Sequence, residues 1–236
     1  MNTTRMSELL RDIHGGLIVS CQPKAPLNRP DYVADLARAM VEEGACALRI
    51  EGAERIEAVR AAVEVPILGI IKRKVPGFDC YITATAHDVE TAIDAGADIV
   101  ALDGRDLARP DGASLEDLVT RCRARGVGVM ADISTLAEGQ YAARCGVDLV
   151  ASTLAGYTPE SRPGPAPDLD LITELAEGTS APVIAEGRLH SPADVLAAFA
   201  RGAHAVVVGS AITEPRFAIA RFLSGLPPAP SRGAHP

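Results

Sequence analysis

Tryptophan is absent from this chain of 236 residues, and tyrosine and phenylalanine together supply only 3% of it. With 47% of the residues hydrophobic, the core must therefore be built mainly from Ala, Val, Ile and Leu. No apolar run approaches the roughly 18 residues of a membrane span, and no basic-then-apolar leader opens the chain, so no membrane partner is expected. An excess of positive charge is missing too. The formal net charge of −8 argues against a nucleic-acid partner, while leaving room for a small anion met by a few local cations. Cys21, Cys46, Cys80, Cys122 and Cys145 show no CxxC spacing and read as reduced thiols of a cytoplasmic protein, not as a disulfide frame or zinc site. Neither a GxGxxG turn nor a P-loop is found. His14, His87, His190 and His204 have no partner spacing that suggests a metal.

What the chain does have is a rhythm. Short β-branched runs recur as "LIVSCQ" (17–22), "ALRIEG" (47–52), "ILGIIKR" (67–73), "DIVALDG" (98–104), "GVMADIS" (128–134), "LVASTLAG" (149–156), "PVIAEG" (182–187) and "AVVVGSAI" (205–212). Most are continuously apolar, as expected of parallel strands buried on both faces. Helical patterns lie between them. "DYVADLARAMVEEGA" starts after Pro30 and closes at Gly44; "HDVETAIDAGAD", "SLEDLVTRCRARGV", "TLAEGQYAARCGVD" and "SPADVLAAFARGAH" begin near a Ser, Thr or Asp cap and end at Gly. Three helix-to-strand junctions share one cadence, "DAGADIV", "RCGVDLV" and "ARGAHAVVV", which predicts one turn used three times.

Eight strands, each followed by room for a helix, predict a single α/β domain over residues 1–225, a (β/α)8 barrel of the TIM type. A doubly wound open sheet is the alternative, but it usually has fewer strands and a Gly-rich first turn. The opening "MSELLRDIHGG" is expected to form an extra helix over the N-terminal mouth. Residues 226–236, which are rich in proline, are expected to be a disordered tail. Barrels of this size commonly pair through helix faces, so a homodimer is compatible with the fold by analogy.

Barrel enzymes carry their active sites at the C-terminal strand ends. Here those ends are Gln22, Arg49, Lys72, Asp103, Asp132, Ser152 or Thr153, Glu186 and the pair Gly209–Ser210. Asp103 and Asp132 could instead cap loops, and Arg49 could pair with a neighbouring carboxylate. Glu186, between an apolar strand and a Gly turn, is costly to bury unless paired or functional. Of the three successive cations Lys72, Arg73 and Lys74, the strand pleat sends Lys72 inward and Arg73 the other way, with Lys74 solvated. After the last two strands, Gly187, Arg188, Gly209 and Ser210 fit a phosphate cradle of backbone N–H groups.

The segments "GGLIVSCQ", "LRIEG", "ILGIIKR", "YITAT", "ADIVALDG", "ADISTLAEG", "STLAGYTP", "PVIAEGR" and "AHAVVVGSAIT" resemble, in order from about residue 15 to 223, the N-acetylmannosamine-6-phosphate 2-epimerases of sialic acid catabolism. The resemblance implies an isomerase interconverting N-acetyl-D-mannosamine 6-phosphate and N-acetyl-D-glucosamine 6-phosphate, without organic cofactor or metal. It implies Lys72 and Glu186 as catalytic groups, and Gln22, Arg49, Asp132, Thr153 and Tyr157 as substrate contacts. Gly187, Arg188, Gly209, Ser210 and Arg216 would hold the phosphate. One position departs from the family: "GSAIT" is usually followed by Arg-Pro, whereas here it is followed by Glu214-Pro215-Arg216. A carboxylate pointed inward there would repel a phosphate, and Arg216 or Arg188 would have to supply the charge. Lys72 as the C2 base needs a pKa below the ordinary value of about 10.4, which burial or the Arg49 cation can provide. Other readings of the residues are a different phosphosugar barrel enzyme using Lys72 as base or Schiff-base amine, and a non-catalytic sugar-phosphate-binding barrel.

Overall fold

A computed structural model describes residues 3–227. Eight parallel strands close into a barrel in sequence order: β1 (Leu17–Cys21), β2 (Ala47–Glu51), β3 (Ile67–Ile70), β4 (Ile99–Asp103), β5 (Gly128–Asp132), β6 (Leu149–Ala151), β7 (Val183–Glu186) and β8 (Ala205–Val208). Closure is made by β1 pairing β8, with Ile18 opposite Val207. Outside the strands run α2 (Pro30–Glu42), α3 (Ala53–Arg60), α4 (Ala86–Asp94), α5 (Leu115–Ala124), α6 (Leu136–Cys145), α7 (Leu169–Gly178), α8 (Pro192–Ala200), α9 (Ser210–Thr213) and α10 (Pro215–Leu223). The (β/α)8 barrel read from the sequence is the fold.

Local signals explain most helix ends. Thr85, Ser114 and Thr135 each complete a capping box with Asp88, Asp117 and Glu138, and Ser191 caps α8. The shared cadence is one turn: Gly96, Gly146 and Gly202 all take positive φ. In each case the next N–H returns to the helix, as Ala97 to Ala92 O, Val147 to Ala142 O and Ala203 to Ala198 O. Helices α3, α7 and α10 were not named from the sequence. Gly52, at φ +88, stands at the α3 cap, and Glu214 at that of α10, so neither carries the usual Ser or Thr signal.

Two apolar clusters result. One lies between strands and helices; the other fills the barrel with Ile18, Ala47, Leu68, Ile70, Ile99, Ala101, Met130, Leu149, Ile184, Ala205 and Val207. The expected N-terminal helix is α1 (Thr3–Ile13), whose Leu9 and Ile13 join the inner cluster. Met6 Cε lies against Gly128 at the start of β5, so α1 stops the lower mouth. Of the expected Pro-rich tail, residues 228–236 lie outside the described residues.

Candidate active site

The inner cluster sets a phase. Side chains alternate along a strand, so continuing inward from Ala47 gives Arg49, from Met130 gives Asp132, and from Ile184 gives Glu186. From Ile18 the same step reaches Ser20 and Gln22. The strand pairings hold these ends level, with Ser20 opposite Arg49 and Asp103 opposite Asp132. Ser20, Gln22, Arg49 and Glu186 meet at a cavity of about 730 Å³ at the C-terminal mouth.

Arg49 organises the floor. It is 1% exposed and donates through Nη2 to Asp132 and through Nη1 to Glu186. Burial opposes its charge, but the two carboxylates outweigh that and raise its pKa. Thr153, in the 3₁₀ turn Ser152–Leu154 after β6, links the same groups. Its Oγ1 lies 3.1 Å from Arg49 Nη1, 2.6 Å from Asp132 Oδ1 and 3.1 Å from Glu186 Oε2. A hydroxyl has one proton to give, so it satisfies one of the two carboxylates at a time. The shorter contact is the one to Asp132, so the hydroxyl donates there in preference to Glu186.

Burial pushes the Glu186 carboxyl up, a tendency that Arg49 opposes and the Asp132 charge reinforces. Lys72 shifts the opposite way. Strand β3 ends at Ile70, two residues short of it, and Lys72 is held instead by an isolated antiparallel bridge to Ile82. Its accessible surface lines the cavity. The surrounding protein desolvates the ammonium and lowers its pKa; Arg49 adds to that, against Glu186, Asp132 and Glu51. The ammonium donates to Gln22 Oε1 at 2.7 Å. Arg73 turns away, as the pleat predicted, and pairs with Asp88 at 3.0 Å. Lys74 stands over the Tyr81 ring.

The opposite end of the cavity is bounded by Gly187, Gly209 and Ser210, with Lys24, Arg188 and Arg216 around it. Arg188 has φ +57; its Nε donates to Ala166 O at 2.8 Å, and its guanidinium stands 5.2 Å from the centre of the exposed Tyr157 ring. The carboxylate of Glu214 is turned to backbone N–H groups of Lys24 and Arg216.

Eleven of the twelve residues assigned from the sequence line this cavity; Asp132, fully buried behind Arg49, does not. Asp103 is absent from it as well and is bound by Arg105 at 2.7 Å, as a loop-holding carboxylate would be. Sequence reasoning missed Lys24 and Phe217, which carry no motif, and Tyr81, which lay in "YITAT" without an assigned role. Among the described residues, no cluster of three or more His, Cys, Asp or Glu side chains could hold a metal ion.

Comparison with known proteins points to one family. The profile of the family described as "Putative N-acetylmannosamine-6-phosphate epimerase" matches residues 33–226. A protein of Caldanaerobacter subterraneus named "Putative N-acetylmannosamine-6-phosphate 2-epimerase" is 41% identical over 92% of this chain and 93% of its own. One of the same name from Yersinia pestis is 45% identical over 89% of each. The solved structure of the N-acetylmannosamine-6-phosphate 2-epimerase from Clostridium perfringens superposes with a TM-score of 0.89 at 38% identity, covering 92% of this chain and 96% of that one. A thiamine phosphate pyrophosphorylase from Pyrococcus furiosus, at TM-score 0.62 and 17% identity, shares the fold alone. The chain belongs to the N-acetylmannosamine-6-phosphate epimerase family.

Proposed function

We propose that this chain interconverts N-acetyl-D-mannosamine 6-phosphate and N-acetyl-D-glucosamine 6-phosphate by removing the C2 proton and returning it on the opposite face. The observation that carries the reading is a lysine of lowered pKa and a glutamate of raised pKa facing one cavity, in a chain of this family. The neutral Lys72 amine takes the proton from C2 of the open-chain sugar. The C2–H electron pair moves into the C1–C2 bond, and the C1 carbonyl oxygen becomes an enolate. Glu186, whose pKa burial raises, gives its proton to C2 on the opposite face, the C1–C2 π pair forming the new C–H bond as the C1 carbonyl is restored, or assists ring opening. Lys72 and Glu186 then regain their starting protonation by exchange with solvent. Arg49 provides positive charge beside both, and Gln22 orients the Lys72 amine.

In this reading Thr153 and Tyr157 border the sugar, and Asp132 acts through Arg49 and Thr153. Gly187, Gly209 and Ser210, with Arg188 and Arg216, surround the phosphate. The negative charge of the chain favours a small-molecule partner over nucleic acid. No helix among the described residues is long and apolar enough to cross a membrane, and the five unpaired cysteines suit the cytoplasm. A homodimer is supported by exposed Ile219, Phe222 and Leu223 on α10, apolar side chains of the kind that pair. Sedimentation of wild type and Phe222→Glu tests the pairing; a wild type that stays monomeric at assay concentration counts against it. The activity is tested by turnover of N-acetylmannosamine 6-phosphate in deuterated water: deuterium must enter C2 of the product. Product without it would rule out proton exchange with solvent.

A further inference from the structure

A buried carboxylate at the phosphate end of a cavity is an electrostatic puzzle, because Glu214 sets a negative charge beside a dianionic substrate. The hydrogen bonds around it give a reason. Thr213 Oγ1 donates to Ser20 O at 2.8 Å, the Lys24 N–H donates to Glu214 Oε2 at 3.0 Å, and Arg216 Nη2 donates to Ala25 O at 2.6 Å. The first bond ties the end of α9 to β1, and the other two tie the start of α10 to the loop between β1 and α2, each across about 190 residues of sequence. The other Glu214 oxygen accepts the Arg216 N–H at 3.2 Å, so both oxygens are committed to the backbone.

The three cations at this end differ in what they already hold. Arg188 is engaged by Ala166 O and Tyr157, and Arg216 by Ala25 O. Lys24 lines the cavity and is exposed, and among the described residues its ammonium makes no hydrogen bond or ion pair. We propose that Lys24 is the cation that meets the substrate phosphate, and that Glu214 is a positioning residue that clamps the β1–α2 loop to hold Lys24 there. The proposal rests on the reading of the cavity as a sugar-phosphate site. Glu214 thus acts on the phosphate indirectly: its two oxygens are taken up by backbone N–H groups, and the loop it fixes brings the Lys24 charge to the cavity.

The test is a double-mutant cycle on the full chain, with KM and kcat measured on N-acetylmannosamine 6-phosphate. Lys24→Met is expected to raise KM about ten- to hundredfold, the loss of one charged hydrogen bond, and to weaken competitive inhibition by inorganic phosphate, with much less effect on kcat. Glu214→Ala is expected to raise KM in the same direction, and the double variant to be no worse than Lys24→Met. Glu214→Gln keeps an acceptor oxygen without the charge, and serves if the alanine variant fails to fold; its KM is expected to stay level or rise. A KM that falls in either Glu214 variant means the carboxylate repels the substrate, and overturns the clamp. Full additivity overturns it as well. An unmoved KM in Lys24→Met, with the wild type turning over, overturns the Lys24 assignment alone. A wild type that does not turn over this substrate overturns the functional reading beneath it.

Discussion

The Lys72 ammonium donates to the side-chain oxygen of Gln22 at 2.7 Å, and the Gln22 amide donates in turn to Ser20 Oγ at 2.8 Å. Two residues of β1 and its continuation therefore fix where a lysine beyond β3 points.

Lys72→Ala is expected to lower kcat by about 10²–10⁴ with the thermal melt little changed. Loss of deuterium incorporation at C2 should parallel the loss of turnover. Borohydride with substrate is expected to leave the wild-type chain without a covalent adduct. A trapped amine at Lys72 would point to an imine mechanism instead.

The pH profile follows from the two shifted groups. Only neutral Lys72 abstracts a proton, so kcat/KM should rise with pH as Lys72 ionises, and at a lower pH than the ordinary lysine value of about 10.4. Only protonated Glu186 donates, so activity should fall as Glu186 loses its proton, above the ordinary carboxylate range. In Glu186→Gln the second dependence should disappear while the first persists.

Arg49→Met should cost about 3–5 kcal/mol at neutral pH, because it leaves Asp132 and Glu186 buried without their common cation. Without it, the folded-state pKa of Glu186, already raised by burial, rises further. Stability of such groups is present below the unfolded pKa and lost as pH rises through the folded one. The gap between variant and wild type in urea unfolding should therefore narrow as pH falls from neutral toward about 4.

Thr153→Val removes the hydroxyl shared by Asp132 and Glu186 while keeping its shape. A loss of about 1–3 kcal/mol in stability is expected, with kcat falling and the Glu186 limb of the pH profile displaced. Thr153→Ser should restore the limb. A valine variant with an unmoved profile would mean that the hydroxyl does not influence Glu186.

Gly69→Ala is expected to cost about 1–3 kcal/mol by overpacking. Its new methyl would lie 2.7 Å from Ala97 Cβ, which is fixed to the backbone and gives little, and 3.0 Å from Ile56 Cδ1. Gly128→Ala should cost less, because its first obstacle is the mobile end of Met6. Urea midpoints of the two variants compare them directly.

The strand-helix rhythm, four capped helix starts and the repeated Gly turn were readable because each is a local signal: period, cap and positive φ need only neighbouring residues. The inward alternation was readable for the same reason, and it brought Gln22, Arg49, Lys72 and Glu186 to one mouth. Helices α3, α7 and α10 escaped notice; Gly52 and Glu214 announce their starts less plainly than a Ser or Thr does, and a Pro-rich stretch precedes α7. Only the tertiary structure decided which charges touch. Asp132 and Glu186 converge on one guanidinium from different strands, and Asp132 retreats behind Arg49 out of the cavity. Glu214 looked like a charge opposed to phosphate, because its type is visible in sequence and its partners are not. Closure of β1 on β8 brings Lys24 beside it, and Coulomb interactions depend on that distance rather than on separation along the chain.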